Sequence, residues 1–190
     1  MATMQAVPLD KASRLLNHGP TVLVGSAHGG RVNVMAAAWA MPLDFTPPKV
    51  AVVIDKGTLT RKLVDASGVL SVCVPCVAQA GLTRAVGSES GKDHPDKLQR
   101  CGVSCEPGPL TGSPMVQGAI AWMECRVLPA TAHVAGPHDL ILAEVVSAWA
   151  DGRVFSGGRW HFEDAPDELR SLHHVAGGMF YAVGSAIMSG

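Results

Sequence analysis

What most constrains this chain is a succession of short apolar runs, each closed by a turn residue. Residues 21–26, 50–54 and 69–74 are continuous β-branched or apolar stretches bounded by Gly, Pro or Asp. Residues 119–128 alternate, with Ile120, Trp122, Glu124 and Arg126 on one side, and residues 140–149 carry a single acid, Glu144. Runs of this length and bounding read as strands. The helical stretches between them are short. Residues 10–17 start at Asp10 as an N-cap, and a helix from Thr58 or Leu59 to Ala66 is stopped by Ser67-Gly68. Residues 77–85 read as a short helix and 97–100 as a helical turn. Strand and helix do not alternate as a parallel sheet requires. The pattern predicts a mostly β fold, an antiparallel barrel with peripheral short helices, in one domain over residues 1–190.

Chemistry concentrates in three stretches. The first follows a turn at Ala27-His28-Gly29-Gly30, which folds strand 21–26 back onto a strand over residues 31–40. In it, Asn33 is followed by Met35, Ala36, Ala37 and Ala38, then by Trp39. Small side chains let a flat ligand approach the backbone, Asn33 can donate and accept toward ring heteroatoms, and Trp39 can wall the site. The same residues also describe a half-buried strand at a packing seam. The second stretch is Thr58-Leu59-Thr60-Arg61-Lys62, where amides, hydroxyls and two cations meet at a helix start, the local chemistry of a phosphate site. The third is the loop of Ser88, Ser90, Gly91 and Lys92 with Lys97, which can close over an anion. Neither the Gly-x4-Gly-Lys-Ser/Thr loop nor the Gly-x-Gly-x-x-Gly turn is present. Phe45-Thr46-Pro47-Pro48 reads as a loop, because proline cannot donate to a ladder. Residues 101–114 read as irregular.

Other motifs close off function classes. Cys73-Val74-Pro75-Cys76 has redox spacing, but Cys73 lies on a strand and no helix opens at it, so both cysteines read as structural. Five cysteines cannot pair completely, which predicts a reducing, cytoplasmic setting. Residues 1–5 lack the regions of a signal peptide, and no apolar stretch reaches a membrane span. His133, His138, His173 and His174 form no HExxH or HxH pattern, so no metal is expected. His138 sits in Gly136-Pro137-His138-Asp139 at a loop-to-strand junction. His173-His174 precedes Gly177-Gly178 in a loop where the backbone can approach a ligand. There is no nucleophile elbow. A net charge of −1 without a basic run argues against nucleic acid. An apolar fraction of 47% against 16% charged implies that a partner subunit covers some apolar surface.

Read in order, several motifs are familiar. They are Asn33-x-Met35-Ala36-Ala37-Ala38-Trp39, Pro47-Pro48, Thr60-Arg61-Lys62-Leu63 and Ser67-Gly68-Val69, then Ser88-x-Ser90-Gly91-x-Asp93 with Asp96-Lys97. Gly136-Pro137-His138-Asp139-Leu140 with Ala143-Glu144-Val145 follows, and the series ends at His174-x-x-Gly177-Gly178-x-Phe180-Tyr181-x-x-Gly184. Together, over about residues 9–184, they resemble the flavin reductase-like family, with flavoredoxin the subgroup most alike. The resemblance implies an FMN-binding split β-barrel of Greek-key type, commonly a homodimer with FMN near the subunit interface. It implies that electrons pass from NADH or NADPH, or from a redox partner protein, through FMN. It assigns FMN contacts to Asn33, Trp39, Thr60, Lys97 and His138, with Phe180 as the aromatic of the C-terminal segment. The backbone of Met35, Ala36, Ala37 and Ala38 would lie along the isoalloxazine ring. Thr60, Arg61 and Lys97 would hold the phosphate, with Thr58 and Ser90 beside them and Lys62 as a spare. His138 or His174 would stabilise charge on reduced flavin or approach the nicotinamide, and no side chain need act as acid or base. The family often has Phe or Tyr where Leu59 and Val69 stand. The implied activity is an NAD(P)H-dependent flavin reductase, whose acceptor can be an oxygenase component. An FMN electron carrier reduced by a protein partner is the alternative, and a haem-binding or flavin-sensing barrel without turnover is a third.

Overall fold

The computed structural model describes residues 4–188; the expectation made for residues 1–3 lies outside them. The strands are β1 (Met4–Ala6), β2 (Val22–His28), β3 (Arg31–Ala37), β4 (Ala40–Phe45), β5 (Pro48–Val53), β6 (Val69–Val74), β7 (Cys105–Pro107), β8 (Pro114–Val116), β9 (Ala121–Val127), β10 (Leu140–Asp151), β11 (Phe155–Ser156), β12 (Arg159–Trp160), β13 (Leu172–Ala176) and β14 (Met179–Ala182). The α-helices are α1 (Leu9–Ala12), α2 (Leu59–Ser67), α3 (Ala80–Ser88), α4 (Lys97–Arg100) and α5 (Thr131–His138). Among the described residues no helix is long and apolar enough to cross a membrane.

The main sheet has eight strands in the order β3-β2-β6-β9-β10-β5-β4, with β1 also on β10. All these pairs are antiparallel. Its two edges, β3 and β4, are consecutive in the chain and joined only by Ala38-Trp39. Three residue steps span at most about 11 Å, so the edges must come together and the sheet must curl into an open barrel. The stretch predicted as one strand over residues 31–40 is therefore two. Met35, Ala36 and Ala37 pair with β2, while Ala40 pairs with β5 and the Trp39 carbonyl accepts from the Val53 N–H.

Inward packing follows the two-residue period of strands. In β10, Ile141, Ala143 and Val145 face the core, and then Ala148 and Ala150 do. The switch from odd to even positions falls where the pairing with β9 shifts between Val145 and Ser147. A bulge there inserts one residue, which keeps both halves of the long strand facing inward. Gly25 lets β8 lie on β2, since a Cβ there would meet Pro114 Cγ and Ser71 Oγ at 2.7 Å.

Local chemistry set several elements as expected. Gly29-Gly30 is a two-residue hairpin turn with φ of 57° and 76°. Thr58 caps α2 by accepting the Arg61 N–H at 3.1 Å, and Gly68 ends it at φ 70°. Others differ. Asp10 is inside α1 and caps nothing; Pro8 precedes the helix and Lys11 takes the Asp10 carboxylate. Thr46-Pro47 is a tight hairpin turn: Pro42 lies on the edge strand β4, and Pro48 is the first residue of β5, both places where a strand tolerates proline. Gly177-Gly178 is likewise the turn of the β13–β14 hairpin, with no open loop. Residues 131–138 form a helix where Gly136-Pro137 suggested a loop, and β7 and β8 pair within a stretch read partly as irregular.

The Cys73 and Cys76 thiols are buried, and burial pushes Cys73 up to about 12, the reverse of a reactive thiolate. A similar burial governs His18. Its ring meets Trp160 edge-on at 5.5 Å, with Phe162 and His173 at 5.7 Å. Nε2 lies 2.9 Å from Ser171 Oγ, and Nδ1 has no partner among the described residues. Desolvation, reinforced by His173, lowers the pKa from 6.5 to about 4. The unfolded chain then takes up this proton before the folded one. Stability is whole above pH 6.5 and is lost as the pH falls toward 4, by up to about 3 kcal/mol. Urea titrations at pH 7.5 and 4.5 measure that loss, and His18→Gln is expected to shrink it.

Candidate flavin site

The cleft is built on β3. Its first half, about 230 Å³, is lined by Asn33, Met35 and Ala36 from the strand, by Thr58, Leu59 and Thr60 from the start of α2, and by Ser90, Gly91 and Lys97 from the following loop. Asn33 and Thr60 are both buried, and Asn33 Nδ2 donates to Thr60 Oγ1 at 2.8 Å. Gly91 allows the loop to close over this pair, since a Cβ there would lie 2.5 Å from Asn33 Oδ1. The Leu59 and Thr60 amides head α2 ahead of the capped Arg61 amide and are free to donate.

Lys97 completes this end. The residue is 2% exposed, yet its ammonium has no hydrogen bond or ion pair among the described residues. Burial lowers its pKa, against the pull of Cys101 and Glu89. Glu89 is engaged elsewhere, by Arg100 at 3.2 Å. A buried lysine whose ammonium has no ion-pair partner among the described residues, beside the start of α2, is chemistry that fits a phosphate.

The second half of the cleft, about 270 Å³, runs on through Ala36, Gly87 and Ser88, which line both halves. Its floor is Ala36, Ala37 and Ala38, and its far wall is Arg84, His174, Gly178 and Phe180. His174 and Phe180 face each other across the β13–β14 hairpin with ring centroids 5.4 Å apart. The His174 amide donates to Thr21 Oγ1 at 2.7 Å, which ties the hairpin to the barrel. A floor of three alanines between the Lys97 end and an aromatic end suits a long, partly planar ligand.

The fold thus brings together Asn33, Met35, Ala36, Ala37, Ala38, Thr58, Thr60, Ser90, Lys97, His174 and Phe180. All three of their hydroxyls already accept a hydrogen bond: Thr60 Oγ1 from Asn33, Thr58 Oγ1 in the cap, and Ser90 Oγ from the Lys92 N–H at 3.2 Å. Three expected residues line neither half. Arg61 is the clear correction: Nε binds Asp65 at 2.8 Å, and the guanidinium reaches Ile54 O, Ala135 O and Asp139 on the side of α5. It is a buried structural cation holding α2 to α5. His138 ends α5, exposed, next to the Asp139 that accepts from the Lys56 N–H. Trp39 is 75% exposed on the joint between the two barrel edges. Sequence reasoning missed Thr83, Arg84 and Gly87, which sit in an ordinary amphipathic helix with no motif to mark them.

Comparison with known proteins agrees with this geometry. The model of the flavin reductase-like domain family matches residues 14–167. The chain belongs to that family. Among solved structures of flavin reductase-like proteins, an FMN-binding domain of a flavin reductase-like enzyme from Shewanella baltica superposes with a TM-score of 0.97 at 48% identity, covering 100% of this chain and 98% of the other. Flavoredoxin of Desulfovibrio vulgaris superposes with a TM-score of 0.74 at 24% identity over 90% of each chain, a likeness of fold. The NADH-dependent FAD reductase of Streptomyces globisporus is 28% identical over 164 residues, 83% of this chain and 88% of that protein. The barrel with few short helices is thus the flavin reductase-like fold.

Proposed function

We propose that the cleft binds FMN and that the chain is an NAD(P)H-dependent flavin reductase acting as a homodimer. The observation that carries the reading is Lys97, a buried side chain whose ammonium has no ion-pair partner among the described residues, set beside the Asn33–Thr60 pair and the start of α2. When bound, FMN would supply the two-electron redox chemistry of a hydride acceptor. The residues of this chain bind and orient. Lys97 and the Leu59 and Thr60 amides hold the phosphate dianion. Asn33, fixed by Thr60, presents its amide along the cleft. Ala36, Ala37 and Ala38 exclude water from one face of the ring, and His174 places a titratable ring at the opposite end from Lys97. Catalysis needs no acid or base from these side chains.

A second copy is supported by β4. Trp39, Met41, Leu43 and Phe45 present a row of large apolar side chains outward, with Trp39 75% and Phe45 68% exposed. On an edge strand such a row calls for cover. Five free thiols suit a cytoplasmic setting. An oxygenase component or a redox partner protein would take the electrons onward.

The absorption spectrum of the purified protein, followed by anaerobic titration with NADH and NADPH, tests this reading. Flavin bands that bleach on adding either donor are expected, with a dimer mass in light scattering. A yellow protein that neither donor bleaches is instead an electron carrier of flavoredoxin type. A colourless protein that gains no colour from added FMN sinks the flavin reading.

A further inference from the structure

The far end of the cleft holds a cation to which the flavin reading above gives no role. Arg84, on α3, lines the wall at Gly178, where a Cβ would lie 2.8 Å from Arg84 Nε. The missing side chain at this turn is what lets the guanidinium lie along the β13–β14 hairpin. Among the described residues the exposed Arg84 guanidinium has no hydrogen bond or ion pair, as is true also of Arg31, whereas Arg61, Arg100, Arg153, Arg159 and Arg170 have carboxylate partners. The residue before it supplies a second, independent sign. Thr83 is 0% exposed, lines the same cavity, and its hydroxyl has no partner among the described residues. A buried hydroxyl is rarely left without one unless something else completes it. No carboxylate lines this half of the cleft, and His174 adds a second group that can carry positive charge.

We propose that Arg84, with Thr83 and His174, forms a subsite for a phosphate group of the dinucleotide hydride donor. The inference rests on the flavin reductase reading above and deepens it. The Arg84 end shares the alanine floor with the Lys97 end, so a donor anchored there sits on the same cleft as the cofactor. An arginine without a neighbouring acid favours a phosphate over a ribose diol, which an acid would mark instead. The phosphate can be the pyrophosphate, common to NADH and NADPH, or the 2′-phosphate of NADPH alone.

The test uses FMN-loaded protein, wild type and Arg84→Gln, with Arg84→Lys as the charge-keeping variant. Readouts are KM for NADH and NADPH and the calorimetric affinity for NAD+ and NADP+, with FMN affinity and thermal melting measured alongside. Loss of one charged contact is expected to raise the donor KM by roughly 30-fold in Arg84→Gln and to weaken nucleotide binding equally, with partial recovery in Arg84→Lys. A rise for both donors places the pyrophosphate there; a rise for NADPH alone places the 2′-phosphate. Wild type that turns over a donor while Arg84→Gln keeps the same KM and nucleotide affinity overturns this inference alone. Wild type that binds FMN but turns over neither donor overturns the donor reading on which it rests. Melting and FMN affinity equal to wild type assign any KM change to the subsite; a fall in both assigns it to folding and counts against the proposal.

Discussion

Lys97→Met weakens FMN binding by roughly 100-fold without destabilising the FMN-free protein. The two effects have one cause. In the unliganded fold Lys97 is buried with no counter-ion, and desolvation lowers its pKa, so the charge is a cost that methionine removes. With the phosphate in place the same ammonium makes a charge-assisted bond, worth about 1.5–3 kcal/mol. Flavin fluorescence titration measures the first effect and thermal melting the second. Adding Thr60→Val removes the acceptor of the Asn33 Nδ2 bond and should abolish tight binding. A double variant that still purifies yellow with wild-type affinity would place the phosphate elsewhere.

Glu124→Leu lowers global stability by about 3–5 kcal/mol, the largest loss expected from any single change outside the cleft. Glu124 is fully buried on β9, on the face away from Met123 and Cys125. Its carboxylate accepts from the Leu110 N–H at 3.0 Å, the Thr111 N–H at 2.7 Å, the Thr111 hydroxyl at 2.8 Å and the Ser147 hydroxyl at 2.6 Å. Gly108 lies so close that no Cβ fits between. One side chain thus stands in for a strand partner along the 108–113 loop. Leucine leaves two part-buried amides and the Ser147 hydroxyl without their acceptor, and the Thr111 hydroxyl keeps only Ser113 Oγ. Glu124→Gln keeps one carbonyl oxygen and should cost about half as much. Denaturant titration of both variants at pH 7 gives the comparison. Equal stability in the leucine variant would show that the loop finds other partners.

Much of the barrel was legible because its punctuation is local chemistry. Gly29-Gly30 can only turn, Thr58 can cap, and Gly68 can end a helix in the left-handed region. Helix α5 was not legible, because Gly136-Pro137 argues against a helix on propensity alone. What holds it is distant in sequence: Thr131 Oγ1 exchanges hydrogen bonds with the Leu142 backbone, and Arg61 binds Ala135 O and Asp139. Arg61 itself was misjudged for the same reason. From the sequence it stands beside Thr60 at a helix start, and nothing local shows that Asp65 and Asp139 claim its guanidinium.

By itself the sequence determined the class of fold, the family and the residues that meet at the Asn33–Thr60–Lys97 end of the cleft. These depend on residue type at short spacing: β-branched runs, paired glycines, an amide three residues before alanines, a threonine at a helix start. Tertiary structure decided which of those groups remain available. Neutralisation of Arg61, the lack of an ion-pair partner for Lys97 among the described residues and the exposure of Trp39 on the barrel seam are outcomes of long-range packing. So is the meeting of Arg84 with Gly178, from two elements far apart in the chain. A charge binds a ligand only if the fold has not already paired it, and pairing is a property of neighbours in space.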